Sequence, residues 1–255
     1  MERAKQFETI DYFNVGLDLD GVQNKLDYYM KTKGIPYFSK LENKTNYKFE
    51  YNSQFYDIEQ IFNCTRKDRN NFWSKYVWYY CMFYEAREYA SWLVNQIITD
   101  GNTPLLITAR VYVDRRDMFE KASNKREENE FLKSLFLKAS ALPLEKTFRL
   151  MIYFWLNRND IVFNKKDIYF CSEINSPEEK CEIIIDKNVR YMYEDKPENI
   201  EKMRKIQNLL TLVPNADYNQ DVYSDGTKVI RINSLKEGYY IMMNDAMDKK
   251  LVKRI

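Results

Sequence analysis

The stretch that decides the fold is Asn14-Val15-Gly16-Leu17-Asp18-Leu19-Asp20-Gly21-Val22. A short apolar run, typical of a buried strand, stops at two acids that are one residue apart. Alternate strand residues point to opposite faces, but a chain that turns at a strand end can bring both carboxylates to one rim, and Gly21 permits such a turn. Neighbouring carboxylates suit a divalent cation, or a nucleophile with an acid–base partner.

Three other interpretations of Asp18 and Asp20 compete on these residues alone. A solvated turn is the simplest of them. A calcium-binding loop is disfavoured, because its pattern needs acids or amides at alternate positions before the glycine. Here Gly21 follows the second acid directly, and Val22 and Leu26 are apolar. The acids could also be the metal ligands of a nucleotide-sugar transferase, and this alternative stays open.

Composition limits the chemistry that the chain can carry. Its 255 residues allow one large domain, or a core with a smaller inserted domain. The net charge of +2 gives no reason to expect a nucleic-acid or membrane partner. The chain contains no histidine, which excludes Ser-His-Asp and Cys-His catalysis and any histidine-ligated zinc or haem site. Any acid–base catalysis must therefore use carboxylates, Lys, Tyr or Cys.

The cysteines, the first residues and the lack of a long apolar run indicate where the protein is located. Four scattered cysteines without a Cys-x-x-Cys spacing suit a reducing cytosol. Residues 1–6 lack the apolar core of a signal peptide, and no apolar run approaches the ~18 residues of a membrane-spanning helix. We therefore expect a cytoplasmic protein. The basic ending, 249–254, predicts a frayed, solvated tail.

Apolar bursts alternate with amphipathic segments along most of the chain. This alternation predicts an α/β fold with a parallel sheet and helices on both faces. Residues 22–82, rich in Tyr, Phe, Asn and Lys, lack strand alternation and predict a mostly helical insertion, whose aromatic residues we expect to form mainly its own core. The predicted strands are 13–18, 104–107, 167–171, 190–193, 209–213 and 228–232. The predicted helices are 71–80, 85–98, 111–142, 146–156, 177–186, one from Pro197 and one capped by Ser234.

Residues that could bind a phosphate group or a metal ion lie where three of the predicted strands end. The first strand ends in Asp18-Leu19-Asp20-Gly21, the second in Thr108-Ala109-Arg110, and the fourth in Glu194-Asp195. Lys180 lies near the start of the helix before the fourth strand. Because ligands bind outside the carboxyl ends of strands in an open α/β sheet, these groups are expected to meet in one crevice. Hydroxyl, N–H and ammonium groups suit phosphoryl oxygens, and the acids suit Mg²⁺.

Taken in order, these motifs resemble those of the haloacid dehalogenase-like (HAD) phosphohydrolase superfamily. More narrowly, 106–110 and 194–200 look like the 5'(3')-deoxyribonucleotidase-like branch. The resemblance covers about 10–21 and 84–215. It implies a HAD-like Rossmannoid three-layer α/β/α core, 1–21 and 83–255, with a helical cap inserted at 22–82 that would close over the crevice.

The resemblance also implies a role for each motif residue. Asp18 would be the nucleophile, anionic at neutral pH at its ordinary pKa, and Asp20 would be the general acid and base. Mg²⁺ would be held by Asp18, by the Asp20 carbonyl and by Asp195, with Glu194 as the competing ligand. Thr108, Lys180 and the substrate-binding residues Gly21, Ala109 and Arg110 would face the phosphate ester.

The function expected from these roles is a Mg²⁺-dependent phosphomonoesterase with a small soluble substrate, a nucleoside monophosphate ahead of a sugar phosphate. A polynucleotide end-phosphatase on the same core stays open, although the near-neutral charge argues against it. A non-catalytic module that binds a phosphorylated ligand or a protein is a further alternative, and so is a metal-dependent glycosyltransferase. The sequence leaves homo-oligomer formation undecided.

Overall fold

A parallel sheet organises the core of the computed structural model, which describes residues 7–43, 48–111, 144–172 and 175–254. The strands are β1 (Phe7–Thr9), β2 (Asn14–Leu17), β3 (Thr103–Val111), β4 (Ile168–Ser172), β5 (Val189–Tyr193), β6 (Leu210–Pro214), β7 (Val229–Ile232) and β8 (Val252–Arg254). Six of them form one sheet in the order β4-β3-β2-β5-β6-β7. The β2 strand pairs in parallel with β3 and with β5, and β6 pairs in parallel with β5 and β7. The α/β class with a parallel sheet is thereby confirmed.

Helices occupy most of the connections between these strands. Their bounds are α1 (Leu26–Tyr29), α2 (Ile35–Glu42), α3 (Ile58–Ile61), α4 (Arg66–Phe83), α5 (Ala90–Thr99), α6 (Leu144–Arg158), α7 (Ser176–Asp186), α8 (Pro197–Met203) and α9 (Leu235–Asp248). A π-helical turn, Met30–Gly34, joins α1 to α2. Short 3₁₀ turns lie at Lys165–Asp167 and Asp217–Asn219. None of the helices in these described stretches is long and apolar enough to cross a bilayer.

Helix starts follow the local chemistry of the sequence. Proline stands in the first turn of α7 and of α8, as predicted, because its missing N–H and fixed φ suit that position. Ser234 caps α9, and its Oγ accepts a hydrogen bond from the Glu237 N–H at 3.1 Å. The sequence places these starts because a cap is a local interaction.

Two predicted bounds were wrong. The helix expected from Glu85 begins at Ala90, because Tyr89 has a left-handed backbone with φ +66°. Ala86 instead forms an antiparallel bridge to Asn24. The strand expected to end at Thr108-Ala109-Arg110 continues as β3 to Val111. The predicted helix 111–142 lies almost wholly outside the described residues.

The basic ending is not a solvated tail. Val252–Arg254 forms β8, which pairs antiparallel with β1, and Lys253 makes an ion pair with Glu8 at 2.9 Å. Val252 is buried while Lys253 is exposed, because alternate strand residues point to opposite faces. The high density of charged residues at 249–254 is typical of a solvated tail, and so the sequence pattern did not predict this short strand.

The chain divides into two compact units. The first contains the described residues of 1–26, 85–109 and 159–255, and with them the site described below. The second contains the described residues of 27–84 and 110–158. It therefore includes α6, which the predicted division left in the core, and the Trp155 Nε1–H of that helix donates to the Tyr84 carbonyl at 2.7 Å.

The second unit has an aromatic core. The Tyr29 ring lies 4.6 Å from Tyr80 and 4.7 Å from Tyr84, and Phe38 stacks on Phe62 at 4.3 Å, all between ring centroids. Each of these side chains is buried. Such edge and offset packing adds to the stabilisation from burial alone. These buried rings form a core for this unit, as expected for most aromatic residues of 22–82, whereas Tyr28, Tyr51, Phe55 and Tyr79 are exposed.

Candidate functional site

Three neighbouring strands bring the predicted residues to one edge of the sheet. Asp18 directly follows β2, and Glu194 and Asp195 directly follow β5. Thr108 lies on β3, two residues beyond Leu106, the last residue of β3 that pairs with β2. Parallel strands direct their carboxyl ends to the same edge, and so residues far apart in sequence meet there.

The centre of the site is a buried group of carboxylates. Asp18, Glu194 and Asp195 are at most 4% exposed, and each offers an oxygen within 4.8 Å of the others. Asp18 is also held by its backbone, whose N–H donates to the Tyr193 carbonyl at 3.0 Å. Burying like charges at this separation is costly unless a cation offsets them.

Lys180 supplies one such cation. Its side chain is 1% exposed, and Nζ lies 3.1 Å from Asp18 Oδ2 and 2.7 Å from Glu194 Oε2. Two other lysines nearby in the sequence, Lys187 and Lys196, pair instead with Asp186 and Glu198. The structure thus brings Lys180 into contact with the acids, while the other two pair elsewhere.

Burial alters the protonation of this cluster. It raises the pKa of Asp18 well above the ordinary value, against the lowering effect of Lys180 and with a further contribution from Glu194. It also raises the pKa of Asp195 to about 8, with Glu194 again adding to the effect. Desolvation lowers the pKa of the Lys180 ammonium, but the attraction of the Asp18 and Glu194 carboxylates outweighs this effect and raises the pKa. Lys180 therefore stays charged. The ordinary pKa assumed for Asp18 from the sequence is therefore wrong for the buried residue.

The turn after β2 is closed by a side chain that the sequence analysis missed. Asn24 accepts from the Gly21 N–H at 3.0 Å and donates from Nδ2 to Asp20 Oδ1 at 3.0 Å. Asparagine side chains often close turns in this manner. Asp20 is half-buried, and its carboxylate is outside the group of three acids that could hold a metal. Asn24 thus fixes the position of Asp20 beside the cluster.

The other two predicted substrate-binding residues lie on β3. Ala109 is partly buried and packs against the apolar cluster that contains Leu105 and Cys171. Arg110 follows on the same strand, and its side chain lies outside the described part of the structure. Their assignment to substrate stays a prediction.

Tyr218 and Asn219 also reach the site, and the sequence analysis missed both. The Tyr218 hydroxyl donates to Asp195 Oδ2, and Asn219 Nδ2 donates to the Asp195 carbonyl at 3.2 Å. Both residues belong to the 3₁₀ turn Asp217–Asn219, which follows β6. Because β6 adjoins β5, the strand-end rule that led to Glu194 and Asp195 could also have led here.

The arrangement fits a divalent cation and a phosphoryl group. Asp18 Oδ1, Asp195 Oδ1 and Thr108 Oγ1 are buried and accept or donate no hydrogen bond among the described residues. Glu194 differs, since Oε2 accepts from Lys180 and Oε1 from the Lys196 N–H. Buried polar atoms are nearly always hydrogen-bonded, so oxygens without partners mark a place for a ligand. Hard oxygen donors are those that Mg²⁺ prefers.

Replacing Gly21 by alanine tests how closely the turn fits the cluster. Gly21 has φ +70°, and a Cβ there would overlap the Asp195 carboxylate and lie 2.6 Å from the Tyr218 hydroxyl. We expect Gly21→Ala to lower the free energy of unfolding by more than the ~1–2 kcal/mol of left-handed strain. Urea denaturation would measure it against Gly226→Ala, where φ is +72° and no described residue other than the two chain neighbours lies within 4 Å of the new Cβ. Equal losses in the two variants would contradict the close packing of Asp195 on Gly21.

Comparison with known proteins gives the fold a name. No protein-family model matches the chain, and no curated protein sequence matches it significantly. Among solved structures, a haloacid dehalogenase-like family hydrolase from Xanthomonas campestris has a TM-score of 0.51 at 11% identity, covering 94% of this chain and 99% of its own. A predicted phosphatase from Clostridium acetobutylicum has a TM-score of 0.52 at 11% identity, covering 92% and 99%. At this identity the likeness concerns the fold alone. The chain therefore has the α/β fold of haloacid dehalogenase-like hydrolases.

Proposed function

We propose that the protein is a Mg²⁺-dependent phosphomonoesterase that acts through an aspartyl-phosphate on Asp18. The observation that carries this proposal is the set of buried oxygens of Asp18, Asp195 and Thr108, which have no hydrogen-bond partner among the described residues and lie on or just after three adjacent strands. Beside them, Lys180 places a buried ammonium against Asp18. The proposed nucleophile, cation and phosphate-binding hydroxyl thus come from neighbouring elements of one sheet.

The proposed reaction assigns a step to each of these residues. An oxygen of Asp18 attacks phosphorus, and the bond from phosphorus to the ester oxygen breaks while Asp20 protonates that oxygen. Water then attacks the phosphorus of the aspartyl-phosphate, Asp20 takes its proton, and inorganic phosphate leaves with Asp18 restored. Thr108, the Ala109 N–H and Lys180 hold the phosphoryl oxygens as charge develops on them.

Mg²⁺ fits the same residues. Asp18, Asp195 and the Asp20 carbonyl would hold it, and Asp195 suits this role better than Glu194, whose two oxygens already accept hydrogen bonds. The ion would offset the repulsion between Asp18 and the phosphate and would favour the anionic forms of the buried acids. Asn24 meanwhile holds the Asp20 loop in place.

Within this class we propose a nucleoside monophosphate as the substrate, ahead of a sugar phosphate, and a cytoplasmic location. The substrate rests on the resemblance of 106–110 and 194–200 to the 5'(3')-deoxyribonucleotidase-like branch. The site residues named above would contact the phosphate of the ester rather than its leaving group. Substrate choice is therefore a separate question from reaction class.

The reaction class is tested by phosphate release from nucleoside monophosphates, sugar phosphates and an aryl phosphate. We expect release with Mg²⁺, its loss with EDTA, and its return when Mg²⁺ is restored in excess. A nucleoside monophosphate should have the highest kcat/KM. No release by folded protein that demonstrably binds Mg²⁺ would contradict the proposal and would favour a non-catalytic phosphate-binding role.

A further inference from the structure

The 3₁₀ turn Asp217–Asn219 approaches the acidic cluster from beyond β6. Its central residue, Tyr218, is 8% exposed, and its hydroxyl donates to Asp195 Oδ2. Tyrosine at neutral pH is a neutral donor, so it orients a carboxylate without cancelling the charge that a cation needs. The hydrogen bond therefore fixes Asp195 and leaves it able to act as a ligand.

This contact distinguishes the two oxygens of Asp195. Oδ2 is engaged by Tyr218 and lies against Gly21, where even a methyl group would overlap it. Oδ1 is buried and has no hydrogen-bond partner among the described residues. One oxygen is thus held by the protein, and the other is left to bind the ion.

The turn that carries Tyr218 is itself anchored. Asn219 Nδ2 donates to the Asp195 carbonyl at 3.2 Å and to the Pro214 carbonyl at 2.9 Å. Asn219 Oδ1 accepts from Arg231 Nη2 at 2.9 Å. The Asp195 side chain and main chain are therefore both tied to the turn, and Arg231 on β7 ties the turn to the sheet.

We propose that Tyr218 is a positioning residue, which holds the Asp195 carboxylate so that Oδ1 is presented to Mg²⁺. The inference rests on the proposed function, because it takes Asp195 to be a metal ligand. Partners that orient a ligating carboxylate set metal affinity, and their loss typically costs 10–100-fold.

Tyr218→Phe removes only the hydroxyl. We expect the dissociation constant for Mg²⁺, measured by calorimetric titration and by the Mg²⁺-dependent rise in Tm, to increase about 10–100-fold. The matched control is Tyr191→Phe, because the Tyr191 hydroxyl also donates to a carboxylate, Asp245 Oδ2 at 2.7 Å. Both variants should lower the Tm of the metal-free protein, and Tyr191→Phe should leave the Mg²⁺ constant within about twofold.

Turnover measurements distinguish a positioning role of Tyr218 from a role in the chemical step. A positioning role predicts that Tyr218→Phe raises the Mg²⁺ concentration needed for half-maximal rate by the same factor, while kcat at saturating Mg²⁺ stays within about threefold of the parent. An unchanged Mg²⁺ constant in Tyr218→Phe, with kcat lowered or not, would overturn the positioning role and leave the proposed function standing. A parent protein that neither binds Mg²⁺ nor releases phosphate would overturn both.

Discussion

Asparagine in place of Asp18 is expected to lower phosphate release by about 10⁴-fold or more, the scale seen when a covalent nucleophile is removed. An amide has nearly the same volume as a carboxylate, but its neutral oxygen does not attack phosphorus to form the aspartyl-phosphate. The substitution also takes away the charge that lies 3.1 Å from Lys180 Nζ. The measurement is the steady-state rate with the best substrate at saturating Mg²⁺.

The control for this variant is Asp100→Asn. Asp100 is equally buried and accepts a hydrogen bond from the Tyr239 hydroxyl, but it lies next to the amino end of β3, away from the strand ends that carry the site. We expect Asp100→Asn to lose stability while its kcat stays within about threefold. If Asp18→Asn, folded as judged by its Tm, kept a rate near that of the parent, Asp18 would not be the nucleophile.

Replacing Lys180 by methionine is expected to have the largest effect on stability. The substitution keeps a long apolar stem and removes the ammonium that contacts Asp18 and Glu194, which leaves two buried carboxylates without their cation. Breaking a buried ion pair from one side typically costs about 3–5 kcal/mol. Urea denaturation should show this loss, and turnover should fall with it because Lys180 also holds phosphoryl oxygens in the proposed reaction.

Two further variants show whether charge causes the loss. Lys202→Met removes a lysine whose partner, Glu178, is as exposed as itself, and it should leave the urea midpoint nearly unchanged. Adding Glu194→Gln to Lys180→Met should recover part of the lost stability, because one uncompensated carboxylate is removed. Burial already raises the pKa of Asp18, so the loss in Lys180→Met should shrink as the pH falls and Asp18 takes up a proton. A loss independent of pH and unaffected by Glu194→Gln would indicate a packing defect instead.

Much of the core could be predicted because its signals are local. Each of the predicted strands overlaps an observed one, since a buried parallel strand is a short apolar run between turn residues. Proline and serine marked helix starts for the same reason. The prediction was wrong where contacts between distant residues determine the local structure. Ala86 bridges to Asn24 rather than lying in a helix, and Val252 lies in β8, which pairs with β1.

The same distinction applies to the site. The sequence predicted Asp18, Lys180, Glu194 and Asp195 together, because strand ends of a parallel sheet meet at one edge whatever their separation along the chain. It could not decide which of Glu194 and Asp195 is the metal ligand, because the two residues are adjacent and chemically alike. The structure shows that their surroundings differ, since both oxygens of Glu194 accept hydrogen bonds while Asp195 Oδ1 accepts none from the residues that the structure describes.

The sequence by itself thus determined the order of the elements, the parallel sheet and the residue types at the strand ends, because each depends on neighbours a few positions away. Only the tertiary structure decided which oxygens are buried without partners among the described residues, that burial raises the pKa of Asp18, and that Tyr218 holds Asp195. The last contact joins residues 23 positions apart through a turn with no motif of its own. Burial and such contacts are properties of the packed chain, and a local pattern does not encode them.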